Sequence, residues 1–171
     1  MNKILIVEDN SVEAEDFKIQ LTLLGYDVKT AISSVEALEA IPKFLPDLVL
    51  MDIGLDLPDG IDTAKAIKEH GFNIPVVFLT QYNDKDTLQR AELTEPYGYV
   101  VKSAKEEILN IVIANALARR KAEIDLQRNL EAQRDIGNLD NAVVQKLAKL
   151  RGLLTEVITI IDSLADKEPG E

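Results

Sequence analysis

The sequence predicts an α/β fold, a five-stranded, parallel, doubly wound sheet, followed by an α-helical extension that forms a coiled coil or a hairpin. Three observations carry this. Five short apolar runs alternate with segments whose apolar residues recur every three or four positions, the pattern of buried strands joined by crossover helices. Acidic residues close the first and third runs, where a parallel sheet gathers its ligand-binding groups. Beyond residue 104 no further strand pattern appears, and helical periodicity runs on.

The strands are expected at Lys3–Val7, Tyr26–Thr30, Asp47–Met51, Pro75–Leu79 and Tyr97–Val101. Between the first two, Asn10 caps a helix with Glu13 three residues on, and Ala14, Phe17, Leu21 and Leu24 mark its apolar face before Gly25 stops it. Ser33 with Glu36 repeats the cap for a second helix, whose end is pressed by Pro42 and Pro46. A third helix spans Gly60 to Glu69 and ends near Gly71; a fourth spans Asn83 to Leu93 and ends before Pro96. From Ala104 to Ile136 there is neither Gly nor Pro, so the last helix is expected to run about 33 residues to a break at Gly137-Asn138.

At 171 residues the chain holds one ordinary domain, placed at residues 1–120, and a helical extension at 121–171. No apolar run is long enough to span a membrane, and Met1-Asn2-Lys3 leads into a strand rather than a secretory signal. Zero cysteines exclude a disulfide framework and suit a cytoplasmic protein. A net charge of -11 argues against a broad nucleic-acid footprint.

The expected strand ends carry the chemistry. Glu8-Asp9 follows the first strand and Asp52 ends the third, so three carboxylates distant in sequence meet at one edge and suit a hard cation such as Mg²⁺. Thr80 ends the fourth with a hydroxyl, and Lys102 ends the fifth with an ammonium. Phosphoryl transfer to a carboxylate needs this set: an ionised nucleophile requiring no base, a metal site, a donor and a cation for the phosphoryl oxygens.

Glu8, Asp9, Asp52, Thr80 and Lys102, in this order and each at a strand end, make residues 1 to about 120 resemble a response-regulator receiver domain of two-component signalling, a flavodoxin-like fold. The resemblance implies that Asp52 accepts a phosphoryl group from a partner histidine kinase. It also implies that Glu8, Asp9 and Asp52, with the backbone carbonyl of Gly54, hold Mg²⁺. Thr80 and Lys102 would bind phosphoryl oxygens, and Tyr99 matches a switch position whose ring turns inward when Thr80 moves. The chemistry would be confined to the chain's own phosphorylation and dephosphorylation. Ser103 departs from the proline usual after the lysine, Gln81 from a small residue, and Gly54 and Tyr82 stand where the phosphorylated lifetime is tuned.

Simpler roles fit other residues. Asp56 and Asp59 read as turn formers before Gly60, and His70 as a cap at a helix end beside Gly71.

In the extension, Ala122, Leu126 and Leu130 form a thin stripe, which widens through Leu139, Val143, Leu150, Leu153, Val157, Ile160 and Leu164, flanked by Val144, Leu147, Leu154 and Ile161. Burial of that face calls for a helical hairpin, a two-stranded coil, or a four-helix bundle between two chains; the dimeric bundle is the expectation. The alternative is a fold-back onto the first domain. With seven basic against ten acidic residues from Lys121 on, no helix-turn-helix pattern and no histidine, the extension is expected neither to bind DNA nor to carry phosphate. The terminal residues from Asp166 to Glu171 are polar and expected to fray. The whole reads as a signalling switch that dimerises through its C-terminal helices or docks a downstream protein. A Mg²⁺-dependent phosphatase of the haloacid-dehalogenase type is disfavoured because Gly54 occupies the place of its second aspartate. The intact five-residue set speaks against an interaction module independent of phosphorylation.

Overall fold

The computed structural model of the chain describes residues 1–56, 58–81 and 85–165, with the backbone alone at 85, 88, 136–140 and 158–165. Strands β1 (Lys3–Val7), β2 (Asp27–Ala31), β3 (Leu48–Asp52), β4 (Val76–Thr80) and β5 (Gly98–Val101) alternate with helices α1 (Ser11–Leu23), α2 (Ser34–Phe44), α3 (Gly60–Glu69), α4 (Lys85–Glu92) and α5 (Glu106–Ala165). The strands form one parallel sheet in the order β2-β1-β3-β4-β5. Chain order reverses at β1, which lies between β2 and β3, so the crevice beyond the carboxyl ends of β1 and β3 is the natural ligand site.

Strand residues alternate between two cores. On one face Leu5, Val7, Met51 and Phe78 pack with Ala37 and Ile41 of α2 and Ile61 and Ile67 of α3. On the other, Ile4, Ile6, Leu50 and Leu79 pack with Phe17 and Leu21 of α1 and Leu109 and Ile113 of α5. Cover on both faces is why β1, β3 and β4 read as nearly unbroken apolar runs. β3 and β4 each start and end one residue later than expected, because Asp52 still pairs with Leu79 and Thr80 with Val101. Asp52 and Thr80 therefore sit inside the ladder.

The caps at Asn10 and Ser33 follow the sequence, and Asp59, a turn residue there, adds a third. The side chains of Asn10, Ser33 and Asp59 each accept a backbone N–H in the first turn of α1, α2 and α3. Gly25 and Gly71, at φ +88° and +82°, close α1 and α3 as Schellman turns: Tyr26 N–H donates to the Leu21 carbonyl and Phe72 N–H to that of Ile67. Leu24 does not join the α1 core face; it is the C-cap residue and exposed. His70 caps α3 as expected, its Nδ1 lying 2.7 Å from the Ala66 carbonyl oxygen. α4 starts at Lys85, and the expected start at Asn83 lies outside the described residues.

The expected break at Gly137-Asn138 is not present: α5 is continuous from Glu106 to Ala165, so the chain forms no hairpin there. Glycine inside a helix costs about 1 kcal/mol relative to alanine but removes no hydrogen bond, unlike proline, and the flanking residues are mostly good helix formers. The chain divides into two compact units, Met1–Ala122 and Glu123–Glu171. No helix among the described residues is long and apolar enough to cross a membrane. The expected fraying of Asp166 to Glu171 lies outside the described residues, as do the side chains of Leu139, Ile160, Ile161 and Leu164.

Candidate functional site

Beyond the carboxyl ends of the strands lies a cleft of about 360 Å³ lined by Glu8, Asp9, Glu13, Asp52, Thr80 and Lys102, among others. Glu8 leaves β1 still paired to the sheet, its N–H donating to the Ala31 carbonyl, and is fully buried. Asp9 is exposed and Asp52 is 4% exposed. One carboxylate oxygen from each of Glu8, Asp9 and Asp52 lies within 4.8 Å of the others.

Local backbone holds these groups. The Gly54 N–H donates to Asp52 Oδ1 at 3.0 Å, the Asp56 N–H to Asp9 Oδ2 at 3.0 Å, and the Asn10 N–H to Glu8 Oε1 at 3.3 Å. Glu8 Oε2, deeply buried, receives no well-directed hydrogen bond although the Lys102 ammonium lies 2.6 Å away. An orphaned anionic oxygen beside two further carboxylates is a donor set that fits Mg²⁺, which takes oxygen ligands and usually keeps several waters. Gly54 contributes its amide to Asp52.

Lys102 follows β5, where its N–H donates to the Thr80 carbonyl at 2.8 Å and ties the two strand ends together. Its Nζ reaches Glu8 Oε2 and Glu13 Oε2 at 2.6 Å each and Asp52 Oδ2 at 3.2 Å. Burial works against the ammonium, but the close contacts with the Glu13 and Glu8 carboxylates and the charge of Asp52 outweigh it and raise its pKa above the usual lysine range. Glu8 is pushed up by burial and by the Asp52 charge, against the pull of Lys102 and the Asn10 amide. The lysine thus stays charged in a site that is short of positive charge.

Thr80 is buried at the end of β4, and Gln81 lines the cleft beside it. Tyr99 lies outside the cleft: its ring stacks on Phe78 with centroids 5.9 Å apart, and its buried hydroxyl has no hydrogen-bond partner among the described residues. Tyr82 is outside the described residues. Ser103 sits in a turn closed by Ala104 N–H on the Val101 carbonyl, and Lys102 reaches the cleft from it.

Two residues that act on the site were read only as local structure. Glu13 looked like half of a capping box; instead its carboxylate turns to Lys102, 89 positions away. Gly60 reads as the first residue of the third helix; a β-carbon there would stand 1.8 Å from the carbonyl oxygen of Asp52. Asp59 does behave as expected of a turn residue, capping α3 and pairing with Arg90 at 2.8 Å.

The family model of the response regulator receiver domain matches residues 4–114. Over 136 residues the chain is 28% identical to the luminescence regulatory protein LuxO of Vibrio campbellii, a match covering 78% of this chain and 30% of that protein. Over 118 residues it is 33% identical to the transcriptional regulatory protein ZraR of Klebsiella oxytoca, covering 69% of this chain and 27% of that one. The chain therefore spans under a third of the length of these relatives. Among solved structures, the N-terminal domain of a response regulator/sensory box/GGDEF 3-domain protein from Carboxydothermus hydrogenoformans superposes with a TM-score of 0.67 at 38% identity, covering 72% of this chain and 99% of that one.

Proposed function

Because the chain belongs to the response regulator receiver family, we propose that it is a cytoplasmic two-component response regulator whose Asp52 accepts a phosphoryl group from a partner histidine kinase. The observation that carries this is the Lys102 ammonium, buried between Asp52 at 3.2 Å and Glu8 at 2.6 Å. A cation held there has its use where negative charge accumulates, as it does on a phosphoryl group in transfer.

In the reaction an oxygen of the ionised Asp52 carboxylate forms a bond to phosphorus while the bond from phosphorus to the donor breaks. The electron pair of the broken bond leaves with the donor atom, which takes its proton from solvent. No base is needed, since an aspartate is already ionised near neutrality. The Gly54 amide fixes Oδ1 and Lys102 faces Oδ2, which orients the nucleophile. Mg²⁺, held by Glu8, Asp9 and Asp52, would supply positive charge for the phosphoryl oxygens. Thr80, at the adjoining strand end, would donate its hydroxyl to one of those oxygens, and Tyr99 would follow as the switch.

The second half of the proposal concerns the unit Glu123–Glu171. Val143, Val144, Leu147, Leu150, Leu153, Leu154 and Val157 are all exposed on one helix. A second copy of the chain, or a downstream protein target, would cover them, and an acidic helix of this kind suits protein rather than nucleic acid. The test of the acceptor is intact-protein mass spectrometry after treatment with acetyl phosphate and Mg²⁺. One phosphoryl group is expected on the wild-type chain and none on Asp52→Asn; equal labelling of both would remove Asp52 from the role.

A further inference from the structure

An ammonium has three N–H donors. In the cleft the directed hydrogen bond of Lys102 runs to Glu13 Oε2 at 2.6 Å, while the Glu8 and Asp52 carboxylates, at 2.6 and 3.2 Å, stand beside the ammonium as ion-pair partners, so Nζ is held toward α1. For the ammonium to turn toward a phosphoryl oxygen on Asp52, one of these contacts has to give way. Asp52 is the acceptor itself. Glu8 is fully buried, and turning it away would strand a charge in the interior. Glu13 is different: it stands on α1, and a third of its side chain already meets water.

We propose that Glu13 is a positioning residue that holds the Lys102 ammonium back from the phosphoryl site and so restrains phosphorylation of the resting chain. The inference rests on the reading of Asp52 as acceptor. Glu13 also adds a fourth negative charge to Glu8, Asp9 and Asp52, opposed by one lysine, and every phosphodonor is itself an anion. Its charge is not required by the helix it stands on. Asn10 already caps α1 through its side-chain oxygen, which accepts from the backbone amides of Val12 and Glu13, and the carboxylate contact with Asn10 Nδ2 is long at 3.4 Å. Neutralising Glu13 therefore leaves the fold intact while freeing a donor and lowering repulsion in the cleft.

The experiment compares wild type, Glu13→Gln and Glu13→Ala as full chains, following the rate of phosphorylation by acetyl phosphate at saturating Mg²⁺ for each. Both variants should react about three- to tenfold faster than wild type. Their rates should also respond less to added salt, because screening has one charge fewer to act on; a merely structural role would not move that dependence. Circular dichroism melts confirm that both variants are folded. Rates equal to or below wild type, or an unchanged salt dependence, overturn the proposal. A wild-type chain that takes up no phosphoryl group fails one step earlier: it defeats the acceptor reading, and this inference with it.

Discussion

Gly60 is the residue on which the position of Asp52, the proposed acceptor, turns. A β-carbon there would lie 1.8 Å from the carbonyl oxygen and 2.8 Å from the carbonyl carbon of Asp52, and both are backbone atoms with no rotamer by which to escape. The start of α3 is thus laid directly on the end of β3, and its N–H donates to the Ile53 carbonyl at 3.2 Å. Gly60→Ala should cost roughly 1–3 kcal/mol or more, the range of overpacked sites, and should also slow phosphorylation because the Asp52 backbone has to shift. Gly25→Ala is the control: its β-carbon meets open space, so the left-handed conformation alone is penalised and Asp52 is undisturbed. Urea unfolding and the acetyl phosphate rate on both variants decide it; equal phosphorylation rates would break the link between Gly60 and the acceptor. The sequence shows the identities of Glu8, Asp9, Asp52, Thr80 and Lys102 and their places at strand ends, because topology brings strand ends together. It does not show what Gly60 and Glu13 do. Their partners are set by tertiary approach, across a loop in one case and 89 positions in the other, and local spacing fits a turn or a cap equally well.

Among the elements, α3 shows how a cap becomes a tie. Asp59 Oδ1 accepts the Asp62 N–H at 2.9 Å, its carbonyl accepts the Thr63 hydroxyl, and Oδ2 takes Arg90 of α4. Burial pushes the Asp59 carboxyl up, but the amide bond and the guanidinium outweigh it, leaving its pKa below the ordinary carboxylate value. A folded-state pKa below the unfolded one contributes stability that is complete above the unfolded value and is lost as pH falls through the folded one. Asp59→Ala should therefore cost about 1 kcal/mol at neutral pH. That difference should shrink progressively as pH falls below about 4, where the unfolded carboxyl begins to hold its proton. Urea melts at pH 7 and pH 3 measure it, and a difference unchanged between the two would mean that the charge of Asp59 plays no part. The starts of α1 and α2 are legible because Asn10 and Ser33 satisfy amides within their own turn, whereas Asp59, which reads as a turn former, caps α3. The continuity of α5 through Gly137 was not, because composition alone does not say whether a costly residue is outweighed by its neighbours.

At the scale of the whole molecule, the helical unit from Glu123 poses a problem of burial. Every described side chain from Asp125 to Val157 is exposed, the leucines and valines of the apolar face among them. Val143, Leu150 and Val157 recur every seven residues, with Leu147, Leu153 and Leu154 beside them. A seven-residue repeat keeps its face toward a partner only if that partner is a helix of the same repeat, which a second copy of this chain supplies. Full burial of a Val or Leu is worth roughly 1.5–3 kcal/mol. Seven such side chains on each of two copies, fourteen in all, exceed the roughly 4–15 kcal/mol that association costs in lost freedom, even at the lower value per side chain. The pairing should therefore exist without phosphate, and phosphorylation, acting through Thr80, Tyr99 and the first turns of α5, should alter its geometry more than its presence. Light scattering of the full chain at micromolar concentration should give the mass of a dimer, with or without beryllofluoride. Leu150→Asp combined with Val157→Asp, or truncation after Ala122, should give monomers that still accept phosphate at Asp52, because the first unit carries the whole cleft and both cores. A monomeric full chain would show that the apolar face waits for a different protein, and a dimeric truncation would move the interface onto the receiver unit.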